Sequence, residues 1–260
     1  MLVDIHTHLA WGIDDGLETI EDAKKALENA KQDGISKIIA TPHFVPGTHN
    51  ACDKERIKSR IDEFISLAKT YDIEVYAGCE VFLNFEYLEM IQNNTVIPLN
   101  NSRYLLVEFD VRKDITKRVD IEDMLYEIKI RNYVPVIAHA ERYFHSHIDL
   151  KRVRTWIDNG CLIQVNRGSI LGLHGSQNEY NAHKLLKSAL VHIVASDAHY
   201  VSGNRNCRLN DVYEKISSKY GKINADLLCI ENPMHIIHDE SVASMKIKKS
   251  LWNRIYSREV

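Results

Sequence analysis

The chain has 260 residues, with 33 Lys and Arg against 36 Asp and Glu, for a formal net charge of -3. That balance excludes a protein held on nucleic acid by bulk electrostatics. Five scattered cysteines (Cys52, Cys79, Cys161, Cys207 and Cys229) without a C-x-x-C pair exclude a disulfide framework and fit buried, reduced thiols.

No apolar run approaches the ~20 residues of a membrane span, and the length suits one α/β barrel domain. In chain order one unit repeats: a short apolar run, polar residues at its C-terminal end, then a helical pattern. The runs are LVDIH (2–6), KIIATPH (37–43), EVYAGCE (74–80), YLLVEF (104–109), VPVIAHAE (134–141), CLIQVN (161–166) and VHIVASDAH (191–199). Their nearly continuous, β-branched character predicts strands covered on both faces, as in parallel sheets. After the first run, Ile20–Gln32 carries Ala23, Leu27 and Ala30 on one face, with Gly34 as its stop. Further helices are predicted over 54–70, 85–92, 121–132, 150–159 and 180–188. No linker or low-complexity segment interrupts the pattern, so 1–240 reads as one domain. The remaining 241–260 reads as a basic amphipathic C-terminal helix packed on the barrel. Ile247, Leu251 and Ile255 share a face there, and Lys246, Lys248, Lys249, Arg254 and Arg258 supply charge for an alternative, peripheral docking on anionic lipid or a membrane-associated partner.

Six of the seven runs end in chemistry: His6 and His8, His43, Glu80, Glu108, His139, then Asp197 and His199. Side chains two apart on a strand point the same way, so His6 and His8 can reach one metal ion, and Asp197 and His199 repeat the spacing. The acidic pair Asp14 and Asp15 follows the first histidines. Such ligands, spread over almost the whole chain, fit a catalytic metal centre better than a structural zinc site with four local ligands. A closed or nearly closed barrel gathers the strand ends at one rim, whereas an open sheet would spread them in a row, about 4.8 Å per strand.

The segments DIHTHLAWGIDDG, ATPHF, YAGCE, LLVEF, VIAHAERY, QVN, VASDAH and IENP recur in the order of the polymerase-and-histidinol-phosphatase (PHP) superfamily. Over 3–235 the chain resembles the bacterial PHP-type protein tyrosine phosphatases of capsule and exopolysaccharide loci. The resemblance implies a distorted (β/α)7 barrel with three divalent ions, manganese first, with iron, zinc, cobalt or magnesium as alternatives that His/carboxylate ligation does not separate. It implies nine ligands: His6, His8, Asp15, His43, Glu80, Glu108, His139, Asp197 and His199. One ion would take His6, His8, Glu80 and Asp197, a second Glu80, Glu108 and His139, and a third Asp15, His43 and His199. Arg142 and Arg205 match the family's phosphate-contacting arginines, whose forks suit two phosphate oxygens.

The implied function is hydrolysis of phosphotyrosine on a bacterial tyrosine kinase of capsule or exopolysaccharide synthesis. The attack is by metal-activated hydroxide without a phosphocysteine. Asp197, His199 or a water would protonate the leaving group. The alternative is a histidinol-phosphate phosphatase or another small-molecule phosphoesterase. A secretory leader has no room before His6, so the expected location is the cytoplasm; the oligomeric state stays open. Gln164 and Asn166 end the one run without a ligand and are candidates to hold ligands or water. His145 and His147 are candidates for the mouth of the site, and Tyr143, Phe144 and Tyr200 either pack or hold a tyrosine ring. The other histidines (His49, His174, His183, His192, His235 and His238) read as ordinary surface or core residues.

Overall fold

The computed structural model describes residues 1–48 and 53–246. Nine parallel strand segments, β1 (Leu2–Thr7), β2 (Ile35–Ala40), β3 (His43–Phe44), β4 (Glu74–Ala77), β5 (Glu80–Phe82), β6 (Tyr104–Glu108), β7 (Val134–Ile137), β8 (Leu162–Asn166) and β9 (Ile193–Ala195), make up seven runs. β2 continues as β3 across Thr41 and Pro42, and β4 continues as β5 across Gly78 and Cys79. Backbone bonds span both breaks, Gly78 N–H to Ala40 O at 3.0 Å and Glu80 N–H to Pro42 O at 3.0 Å. Gly78 is needed for close approach: a Cβ there would lie 2.9 Å from Leu99 Cδ2 and 3.0 Å from Ile39 Cγ2. The order is β1-β2-β4 and β3-β5-β6-β7-β8-β9. The curled sheet returns on itself where Asp197 N–H donates to His6 O (3.0 Å) and His8 N–H to Ala198 O (2.8 Å). Every pairing is parallel, so all seven C-terminal ends face one rim.

Two apolar layers follow from the period of two. Val3, Ile5, Ile39, Leu106, Val136, Ala138, Ile193 and Ala195 fill the interior, floored by Leu99, Tyr104, Ile236 and Ile237. The alternate residues Leu105, Val107, Ile137, Ile163 and Val194 face outward, where the helices cover them. Helix α1 (Ile20–Gln32) starts at Thr19, whose hydroxyl accepts from Asp22 N–H, and buries Ala23, Ala26, Leu27 and Ala30. Such a cap contributes about 1 kcal/mol and full burial of one leucine about 1.5–3 kcal/mol. Helix α2 (Lys54–Ala68) buries Ile57, Ile61 and Phe64 in the same way. Then come α3 (Tyr87–Gln92), α4 (Ile121–Lys129), α5 (Leu150–Asp158), the single turn α6 (Arg167–Ile170) and α7 (Ser176–Lys187). Helix α7 begins four residues before its predicted start, because its first turn, Ser-Gln-Asn-Glu, shows no apolar periodicity.

Helices α8 (Asn210–Tyr220), α9 (Lys222–Asp226) and α10 (Asn232–Ile237) follow the last strand and lie beyond the predicted elements. Asn232, of the IENP segment, accepts from Ala243 N–H (3.0 Å) and donates to both Ala243 O and His192 O (2.8 Å each). Asn224 clasps Lys246 likewise, and Met245 is buried. These asparagines tie 241–246 to the floor of the barrel as a non-helical segment. The rest of the C-terminal helix expected over 241–260 lies outside the described residues. Among the described residues no helix is long and apolar enough to cross a membrane.

His192 supplies a pH test of this core. Burial pushes its imidazole down to about 4, and Nδ1 accepts from Ile163 N–H at 3.1 Å, so it is neutral in the fold. The unfolded chain takes up the proton first as pH falls below 6.5, so stability is lost between 6.5 and 4 and not above. From pH 7.5 to 5.5 the loss from this residue is about 1.4 kcal/mol. His192→Asn keeps the acceptor, so its stability deficit relative to the natural protein should shrink by that amount at pH 5.5 in urea unfolding. A deficit equal at both pH values would refute it.

Candidate metal centre

The alternation that fills the barrel also sets its rim. On β6, Tyr104 and Leu106 point inward and Glu108 follows. On β9, Ile193 and Ala195 lead to Asp197, and on β8, Leu162 leads to Gln164 and Asn166. On β1 the register against β2 shifts between Asp4 and Thr7, which turns His6 and His8 into the mouth after the interior Ile5. His139 (φ 32°) and Asp197 (φ 54°) adopt left-handed backbone just past β7 and β9. This conformation is costly for non-glycine residues and is kept where the surroundings over-determine it, commonly at functional sites.

All nine expected donors meet there, in groups whose ligand atoms lie within 4.8 Å of one another: His8, Asp15, His43 and His199; His6, Glu80 and His139; His6, His8 and Asp197; His43, Glu80 and Glu108. Glu80 is the hub. Its Oε2 lies 3.2 Å from His6 Nε2, 3.3 Å from His8 Nε2 and 3.1 Å from His43 Nδ1, and its Oε1 lies 2.9 Å from His139 Nε2. Glu108 Oε1 is 3.0 Å from His43 Nδ1, and Asp15 Oδ1 is 3.4 Å from His43 Nε2 and 3.3 Å from His199 Nε2. The groups overlap at His6, His8, His43 and Glu80, and Glu108 Oε2 also lies 3.6 Å from His139 Nε2.

Neighbours fix which nitrogens stay free. Gln164 Oε1 accepts from the backbone N–H of His139 (2.9 Å) and lies 3.0 Å from His6 Nδ1, so that nitrogen carries a proton and Nε2 is the one turned to the cluster. Asp14 Oδ2 is 2.7 Å from His8 Nδ1, orienting that imidazole, and accepts the backbone N–H of His43 at 3.0 Å. Asn166 Nδ2 donates to Asp197 Oδ2 (2.7 Å) and receives Gln164 Nε2–H on Oδ1 (2.8 Å). Gln164 and Asn166 therefore hold ligand positions, as their strand ends suggested. Asp14 was visible in sequence only as half of an acidic pair, and nothing there separated its role from that of Asp15.

Electrostatically the cluster is short of cations. Burial alone would lower His6, yet the carboxylates of Glu80 and Asp197 raise it to about 9. Burial opposes the charge on Glu80 and Asp197, but the surrounding imidazoles hold both well below the usual carboxylate range, with Arg205 helping at Asp197. His139 and His199 are pushed down to about 4 by burial, with His8 adding repulsion at His199. Glu80 Oε2, His43 Nδ1 and His139 Nδ1 are buried without a hydrogen-bond partner. Four carboxylates and five imidazoles converging with orphaned lone pairs fit divalent cations, which take deprotonated N and O ligands.

At the rim, Arg205 Nη2 lies 2.9 Å from Asp197 Oδ1 and 2.9 Å from His199 Nε2, and Arg142 Nη1 lies 3.5 Å from Asp197 Oδ2. Their side chains are about one-quarter exposed, at 26% and 27%. Tyr143 and Phe144 are core residues, the Tyr143 hydroxyl accepting from Phe109 N–H at 3.1 Å. Tyr200 is exposed beside His199, His145 Nε2 is 2.9 Å from Val111 O, and His147 packs on Tyr180.

Residues 2–238 match the family described as capsular polysaccharide synthesis, CpsB/CapC. The chain is 32% identical to the tyrosine-protein phosphatase CpsB of Streptococcus pneumoniae, over 93% of this chain and all of that one. It is 31% identical to CapC of Staphylococcus aureus, over 87% and 88% of the two chains. The fold matches a solved chain from YwqE of Bacillus subtilis and CpsB of Streptococcus pneumoniae, reported as unique metal-dependent tyrosine phosphatases. That match has a TM-score of 0.84 and 25% identity, and covers 95% of this chain and all of that one. With the family match over nearly all of its length and the fold in common, the chain belongs to the CpsB/CapC family of capsular polysaccharide synthesis.

Proposed function

We propose that this protein is a metal-dependent protein tyrosine phosphatase that acts on a tyrosine kinase of capsule or exopolysaccharide synthesis. The observation that carries the reading is the convergence of nine donors, with orphaned buried lone pairs, beneath two arginines. In this reading 1–240 is the phosphatase domain, 241–260 a tail with a basic stretch, and the location cytoplasmic.

His6, His8, Asp15, His43, Glu80, Glu108, His139, Asp197 and His199 would hold the ions, three in number and manganese first. When bound, divalent ions supply a Lewis acid for phosphoryl oxygens and make water more acidic. Arg142 and Arg205 orient the phosphoryl group and offset its charge, with forks that match pairs of oxygens. Gln164 and Asp14 hold the His6 and His8 imidazoles through Nδ1, and Asn166 holds the Asp197 carboxylate. The proton at the leaving oxygen would come from a water, from His199 or from Asp197. A tyrosine leaving group, of pKa about 10, needs less of that help than an alkoxide.

Among the described residues the thiols have the wrong chemistry for a covalent route. Cys79, Cys161, Cys207 and Cys229 are buried, and burial pushes Cys79 and Cys161 up to about 12, where a nucleophile needs the opposite. Cys79 Sγ is engaged by Ile97, 3.2 Å from its O and 3.3 Å from its N. The test compares phosphotyrosine peptide with histidinol phosphate on purified protein, before and after chelation and with each divalent metal restored. Turnover of the peptide, lost on chelation and regained with metal, is expected. Preference for histidinol phosphate, or activity that survives chelation, would overturn the proposal.

A further inference from the structure

Arg205 is carried by the irregular segment between β9 and α8, and the reach of its guanidinium to Asp197 Oδ1 and His199 Nε2 depends on how that segment is held. Arg205 O accepts from both His199 N–H (2.8 Å) and Tyr200 N–H (3.0 Å), which closes 199–205 into a loop. Just beyond, the chain is gripped by a residue outside the donor cluster. Arg167, the first residue of α6, is buried and uses all three guanidinium nitrogens. Nε and Nη2 donate to Asp211 Oδ1 (2.7 Å) and Oδ2 (2.5 Å) in the first turn of α8, and Nη1 donates to Asn206 Oδ1 (3.0 Å). The residue before it, Asn166, donates to Asp197 Oδ2 at 2.7 Å. Two consecutive residues at the β8–α6 junction thus hold the two ends of the segment 197–206.

We propose that Arg167 is a positioning residue for Arg205: through Asn206 it fixes the backbone that presents the Arg205 guanidinium to the phosphoryl group. The inference rests on the phosphatase reading and adds a residue to it. The peptide unit that joins Arg205 to Asn206 is planar. Its carbonyl is held by His199 and Tyr200, and the Asn206 side chain by Arg167, so the direction in which Arg205 leaves the backbone is set before phosphate arrives. A loop arginine that clamps an anion loses side-chain freedom and, unless its backbone is already fixed, backbone freedom as well. Arginine suits the positioning task at 167. Two nitrogens of its planar fork saturate the carboxylate, and the third stays at a fixed angle for Asn206, which the point charge of a lysine cannot reproduce. The pair with Asp211 alone would anchor α8; the bond to Asn206 is what reaches the Arg205 loop.

The experiment is a pair of double-mutant cycles on metal-loaded full-length protein. Inorganic phosphate serves as competitive inhibitor of para-nitrophenyl phosphate cleavage, and metal content is measured for every variant. Asn206→Leu keeps the size of the side chain and leaves Arg167 paired with Asp211. Arg167→Met removes the fork, fills its space and leaves Asp211, 37% exposed, to water. Each should raise the phosphate Ki and lower kcat/KM by about tenfold to a hundredfold, the cost of misplacing a group at the site by about 1 Å. Metal content should not change, and Arg167→Lys should recover only part of the loss. In an Arg205→Ala background neither change should cost more than about a further twofold, whereas in an Arg142→Ala background the loss should appear in full. General damage to the barrel would act alike in both backgrounds, so equal losses there would overturn the assignment. Natural kinetics in Asn206→Leu would do the same, and that variant carries the test alone if Arg167→Met does not fold. A natural protein that neither binds phosphate nor cleaves the ester would instead overturn the phosphatase reading itself.

Discussion

Glu80→Gln is expected to lower kcat/KM on a phosphotyrosine peptide by roughly a thousandfold or more, and to reduce the metal retained through gel filtration. Glutamine keeps the volume but replaces one carboxylate oxygen with an NH2 group. The two oxygens of Glu80 reach His6, His8, His43 and His139 at 2.9–3.3 Å, so one carboxylate faces four imidazole donors at once. A shared carboxylate is the natural bridge between neighbouring ions, and loss of its charge removes attraction from more than one. Elemental analysis and steady-state kinetics on the same preparation provide the check. Full metal content together with near-natural activity would show that Glu80 is a core ion-pair partner and not a ligand.

The second large effect should come from the arginines. Arg142→Ala and Arg205→Ala are each expected to reduce kcat/KM by about a hundredfold to a thousandfold, the range for removing one preorganised donor from a site of developing charge. Metal content should hold in Arg142→Ala, because the guanidinium approaches only Asp197, at 3.5 Å. Arg205 touches both Asp197 and His199, so its removal also takes away a charge that holds Asp197 ionised. Lysine at either position should recover only part of the loss, because it offers a point charge in place of a planar fork. Full recovery by lysine would mean that charge alone matters there, and an undiminished rate in Arg142→Ala would remove that residue from the phosphate site.

The pattern of strands was legible because each is apolar and β-branched, bounded by helices with clear periodicity. Even the strand breaks at Thr41–Pro42 and Gly78–Cys79 fall within runs recognised as single strands. The three helices after Arg208 were harder to read: α8 packs Val212 and Ile216 into the outer apolar layer, while α9 and α10 are short and α10 gains its stability by placing Ile236 and Ile237 under the barrel. All nine donor positions could be named from strand ends and family resemblance. Which of them touch could not, since that depends on which rim positions face each other once the sheet closes between β9 and β1.

Local sequence therefore determined which residues carry the chemistry and in what order they stand, because alternation and apolar continuity are short-range properties of the chain. Tertiary structure alone decided that Gln164 and Asp14 hold the His6 and His8 imidazoles, that Glu80 is the hub, and that Arg167 reaches Asn206 beside Arg205. Those relations join residues as far apart as His6 and Gln164, and only the closed sheet brings such pairs within hydrogen-bonding distance.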